Sequence, residues 1–174
     1  MALFTRPAPA PDIWTPEGTL VSQRYRALEG ATVLVYTADT DRAGTRYAVA
    51  CLGCTHRADR TAAGNVMKES EAALSANDHA ATCRAVPRGV PAPPSDTEAA
   101  KLIRTLLWAR RYGSAPHRVR LSDFTVLRVD LQRSTDWIRA VLRDTAQADP
   151  GFLAAAPAGF GQGTRFTVQP FARP

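Results

Sequence analysis

No uninterrupted apolar run in this 174-residue chain approaches the roughly 18 residues that a membrane-spanning helix needs, so such a helix is excluded. The first twelve residues, MALFTRPAPAPD, place an Arg and three prolines where a secretory leader needs a long apolar stretch, and a cytoplasmic protein is expected. Histidine is scarce, with three in all, which leaves few options for acid-base chemistry. No Ser/His/Asp set or carboxylate pair stands at a defensible spacing, and no enzyme is expected. Cysteine is also scarce: three is an odd number, and a reducing compartment would keep them as thiols available to a metal. What remains, 45% hydrophobic and 22% charged residues, describes a globular chain with apolar matter for one core or two small ones.

Lysine is nearly absent as well. Of the 22 basic residues only Lys68 and Lys101 are lysine, which with the abundant alanine suggests GC-rich coding rather than phosphate chemistry. The distribution of charge is more informative. Residues 101–174 hold 12 Lys+Arg against 5 Asp+Glu, or +7, whereas residues 1–100 come to −1. A basic half on a near-neutral half is the asymmetry of a nucleic-acid contact surface, although solubility alone can also produce it.

Punctuation divides the chain. Residues 1–16, with prolines at 7, 9, 11 and 16, read as a flexible tail. Residues 17–85 begin strand-like at Thr19, and Ala31–Thr37 and Arg46–Cys51 make a β-hairpin around the Asp- and Gly-rich loop 38–45. Lys68–Arg84 follows as a helix with a small-residue face at Ala72, Ala73, Ala76 and Ala80. Residues 86–95, with prolines at 87, 91, 93 and 94, form a semi-rigid linker. The last segment, 96–174, opens with a capping box at Ser95 and Glu98 and a helix from Asp96 to Tyr112, with Gly113 as its left-handed stop.

The cysteines fall into a pattern. Cys51-Leu-Gly-Cys54 ends the hairpin, Gly53 allowing a left-handed step, and His79-Ala-Ala-Thr-Cys83 places a His and a Cys on one helix face. Together they make a Cys3His tetrahedron for one Zn2+, with His56 as a substitute fourth ligand; the alternative is three ordinary core or strand cysteines beside a solvated His. Residues 31–85 resemble ββα or treble-clef zinc fingers of the C2HC type, with an interval of 24 residues between Cys54 and His79 that is about twice the usual one. The resemblance implies a structural zinc. A closed site of four protein ligands leaves no open position for a substrate, and the acidic helix face would repel phosphate.

Residues 121–142 read as two short helices: one capped by Ser122 and carrying Phe124, Leu127 and Leu131, the other capped by Ser134 or Thr135 and carrying Ile138, Val141 and Leu142. Strands over 119–121 and 125–129 are the competing reading. The stretch Leu131-Gln132-Arg133-Ser134 with Trp137-Ile138 resembles helix-turn-helix regulators, with Arg128 and Gln132 standing where that family places Ala and Gly. A strand from Phe152, glycines at 159, 161 and 163 and the alternating Thr164–Val168 then resemble the wing of winged-helix regulators of the kind found in actinobacteria. This resemblance implies that Thr135, Arg139 and Arg143, with Arg133 at the N-terminal end, face the major groove of double-stranded DNA, that Ser134 and Thr135 donate to a phosphate or cap the helix, and that Arg165 contacts phosphate or the minor groove. The resulting expectation is an α+β protein, a zinc-stapled ββα unit joined to a winged helix-turn-helix. It would serve in transcription or in plasmid or phage DNA maintenance, with the zinc unit available for a homodimer or a protein partner. The alternative function is a non-catalytic adaptor whose zinc unit docks a partner.

Overall fold

The computed structural model describes residues 13–38, 46–159 and 163–171. Most of the tail, the hairpin loop from 39 to 45 and Gly161 lie outside them. The fold is mixed α+β, in two units that follow the order of the chain.

The expected hairpin is the centre of a larger sheet. Strands β1 (Thr19–Arg26), β2 (Thr32–Ala38), β3 (Tyr47–Cys51) and β4 (Arg57–Ala58) form one antiparallel sheet in that order. Its inner strands are buried except at Thr37 and Tyr47, which are half-buried. One face, with Val33, Val35 and Val49, packs on α1 (Glu69–Thr82) through Ala72, Ala76 and Ala80. Alanine lets the helix axis approach the sheet closely, at the cost of a thin apolar layer. Ala73 lies at the edge of that face, only half-buried.

The opposite face presents Leu34, Tyr36, Ala48, Ala50 and Leu52 to the second unit, where Val129 inserts among them. Tyr36 Oη donates to the Val126 carbonyl at 3.1 Å across the same contact. A sheet apolar on both faces needs two covers, and the chain supplies α1 on one side and the C-terminal unit on the other.

In that unit α2 (Asp96–Ala109) starts where expected: the Glu98 N–H donates to Ser95 Oγ at 3.3 Å, and the Ser95 N–H donates to the Glu98 carboxylate at 2.9 Å. Its end differs. Arg110–Tyr112 tighten into a 3₁₀ turn, and Gly113 is extended with φ −70° rather than left-handed. Strand β5 (His117–Val119) follows, then a 3₁₀ turn over Leu121–Leu127, α3 (Arg128–Leu131), α4 (Thr135–Ala148), β6 (Leu153–Pro157) and β7 (Thr164–Val168). The strand reading fails over 125–129 and keeps only Val119, the end of β5; residues 121–131 are helical turns, the first of them 3₁₀. Ser122 is not the cap. It is buried inside the 3₁₀ turn, and the Asp123 carboxylate instead accepts from the Arg120 N–H at 2.8 Å.

The second sheet has the order β5-β7-β6, all antiparallel. Its core joins Ile103 and Leu107 of α2, Leu131 of α3, Ile138 and Leu142 of α4, and Phe166 of β7. The Pro-rich linker runs along the two units, with Gln132 Nε2 donating to the Pro91 carbonyl at 3.0 Å. No helix of the described residues is long and apolar enough to cross a membrane.

Candidate metal centre and basic cleft

Cys51, at the end of β3, and Cys54, in the turn after it, approach His79 and Cys83 on the last turn and C-terminal cap of α1. Their ligand atoms all lie within 4.8 Å of one another, and Cys54 Sγ is 3.4 Å from His79 Nε2. A zinc tetrahedron with sulfur at about 2.3 Å from the metal requires sulfurs about 3.8 Å apart, so a small inward movement closes the site. The four residues could hold one metal ion. The turn is shaped by packing: a Cβ on Gly53 would meet the Ala31 Cβ at 2.5 Å and the Ala85 Cβ and Val86 carbonyl at 2.8 Å. Gly53 is not among the residues with positive φ, so lack of bulk is what the turn needs from it.

The electrostatics divide the ligands. Burial pushes the Cys51 thiol up to about 11, so its proton must be displaced when a metal binds. At Cys54 burial works upward too, but the His56 N–H at 3.4 Å, the neighbouring thiols and the Arg57 guanidinium outweigh it and lower the thiol. Burial also lowers His79, which favours the neutral imidazole that a metal requires. His56 is not a member of the group. Its ring stacks on His79 with centroids 4.0 Å apart, and it acts as a wall of the site.

Sequence reasoning missed the residue that organises this turn. Arg57 Nη1 donates to the carbonyls of Cys51 at 2.8 Å, His56 at 2.9 Å and Cys54 at 3.4 Å. Its Nε and Nη2 reach the two carboxylate oxygens of Asp130 on α3 at 3.1 and 2.7 Å. Nothing in a lone Arg after Cys-x-x-Cys announces this, because the partner lies 73 residues away.

The six residues expected to face DNA divide into two sets. Arg133 turns inward, its guanidinium donating to Asp96 Oδ1 at 2.9 Å and to the carbonyls of Pro94 and Gln132, and lying over the Trp137 ring. Ser134 caps α4 by accepting from the Trp137 N–H at 3.2 Å. Thr135 is buried, its Oγ1 accepting from Arg128 at 2.8 Å. Arg139, Arg143 and Arg165 are exposed, and they line one cleft of about 360 Å³ together with Arg118 and Arg120 from β5 and the residue after it. No carboxylate lines that cleft among the described residues. Arg139 does share its charge with Asp136, 2.9 Å away and 90% exposed. Arg118 and Arg120 were not expected, since only the β5–β7 pairing brings them beside α4.

The two departures in the turn between α3 and α4 are both accommodated. Gln132 adopts the left-handed conformation, φ +46°, that Gly would take more cheaply. Arg128 is fully buried and ties the turn down through the Arg133 carbonyl and Thr135. Its guanidinium fits because residue 18 is Gly: a Cβ there would stand 2.6 Å from Arg128 Nη1.

No protein-family model, curated protein or solved structure matches this chain.

Proposed function

We propose that the chain is a zinc-stabilised protein that binds double-stranded DNA, with a regulatory and non-catalytic role in transcription or in plasmid or phage DNA maintenance. The observation that carries the reading is the arginine cleft. Five exposed arginines, from β5 and the residue after it, α4 and β7, converge between α4 and the β6–β7 hairpin with no lining carboxylate among the described residues. Like charges are gathered in this way at a cost, which a polyanion repays.

The elements around the cleft support a winged helix-turn-helix. A helix pair joined at the left-handed Gln132, a strand before it and a two-stranded hairpin after it occur in the order that motif requires. On this reading the exposed face of α4, with Arg139 and Arg143, enters the major groove, while Arg165 on the hairpin and Arg118 and Arg120 beside it hold phosphates. Arg133, Ser134 and Thr135 position α4 instead of touching DNA. The metal unit covers the back of α3, and none of its described residues lines the cleft.

Fluorescence anisotropy with a labelled random duplex tests the reading. Arg143→Ala and Arg165→Ala are each expected to weaken binding about five- to tenfold while leaving the melting temperature unchanged. Unchanged affinity in both variants would reject the cleft as the DNA site and favour the adaptor function.

A further inference from the structure

The metal centre and the helix pair beside the arginine cleft are joined by one side chain. Arg57 holds the carbonyls of Cys51, Cys54 and His56 with one nitrogen and grips both oxygens of Asp130 with the other two. Asp130 belongs to α3, two residues before the left-handed Gln132 and four before the Ser134 cap of α4. Its neighbour Val129 inserts into the sheet whose third strand ends at Cys51. Helix α3 is therefore held on the metal unit by an apolar grip on the body of the sheet and by an ionic grip that depends on the Cys51–Cys54 turn.

The site is also reachable. Cys54, His79 and Cys83 are only half-buried, and Cys54, Arg57 and Asp130 line one open cleft of about 390 Å³. A solvent-accessible chelate can exchange its metal with the surroundings, whereas a sealed one cannot.

We propose that Zn2+ is an effector as well as a staple, its occupancy of Cys51, Cys54, His79 and Cys83 being transmitted through the Arg57–Asp130 pair to α3 and α4. This deepens the DNA-binding reading and rests on it for the output. With zinc bound, the two cysteines fix the turn whose carbonyls orient Arg57, and the fork matches Asp130. Without zinc the turn relaxes, the three carbonyls no longer converge on Nη1, and α3 keeps only the Val129 contact.

Hydrogen exchange read by mass spectrometry on the full chain, with zinc and after a chelator, measures the linkage independently of DNA. In the wild-type chain, peptides spanning 128–137 are expected to lose protection about tenfold on zinc removal, and duplex affinity to fall by a similar factor. Asp130→Asn keeps the shape of the side chain and removes its charge; in this variant both quantities are expected to change less than about twofold on chelation. Arg57→Lys, which keeps the charge but loses the fork, serves as the second uncoupled variant. Release of the metal with unchanged protection of 128–137 overturns the proposal, as does loss of protection spread evenly through α2 and β7. An Asp130→Asn chain that responds as strongly as wild type overturns the latch. Loss of protection at 128–137 in a chain that binds duplex in neither state supports the linkage and rejects the DNA-binding reading instead.

Discussion

The face between α1 and the first sheet is closed largely by alanine and valine, whereas the C-terminal unit is closed by leucine, isoleucine and phenylalanine. The difference is one of apolar area. At about 25 cal/mol per Å² a buried Ala contributes far less than a buried Leu or Phe, so the alanine helix α1 gains little from its own contact. Its last turn and cap carry two of the four candidate metal ligands. A thin layer of small residues needs a staple, and a metal held by the four candidate ligands would tie α1 to the end of β3 where the apolar contact is weakest. The C-terminal unit has the larger apolar side chains in its core.

The sharpest way to test this contrast is to remove the metal. Metal binding adds to folding free energy, so chelation is expected to leave the N-terminal unit folded at room temperature but to move its melting to lower temperature, below a separate transition of the C-terminal one. Differential scanning calorimetry distinguishes two transitions from one; a single transition unaffected by chelator would contradict the contrast. The pH dependence has a definite sign. The Cys51 thiol holds its proton up to about 11 without a metal, so falling pH favours the metal-free form. Zinc affinity, measured by competition with a chromophoric chelator, is expected to drop by about tenfold or more per pH unit below neutrality.

Leu142→Ala attacks the other unit. Leu142 is 2% exposed in the C-terminal core, and its truncation is expected to cost about 2–5 kcal/mol in the upper transition while zinc stoichiometry stays at one. Loss of zinc in that variant would show that the two cores are not separable. A smaller effect is expected from Gly53→Ala, whose new Cβ has no room beside Ala31 and Ala85. About 1–3 kcal/mol from the lower transition, with weakened zinc retention, is the expected outcome in a chelator-challenge melt.

Much of this was legible in the sequence wherever the signal was local. The Cys-x-x-Cys and His-x-x-x-Cys spacings brought four ligands together because each pair sits within one turn of its element. The Ser95–Glu98 capping box and the α4 stripe of Ile138 and Leu142 are local in the same sense. Contacts between distant segments were not legible. Strand β4 has two residues and no alternation to reveal it. The Arg57–Asp130 pair and the pocket that Gly18 leaves for Arg128 appear only once the units pack. The side chains expected to face outward differ for the same reason: Arg133 and Thr135 find partners in Asp96 and Arg128, which helix periodicity cannot foresee.

The salt dependence of duplex binding tests the central claim most directly. Each phosphate neutralised contributes about −0.9 to the slope of log affinity against log salt concentration, so the three arginines assigned to phosphates, Arg118, Arg120 and Arg165, predict a slope of about −2.7. The Arg118→Ala and Arg165→Ala variants are each expected to flatten it by about one. A wild-type slope near zero, or one that neither variant changes, would contradict the account.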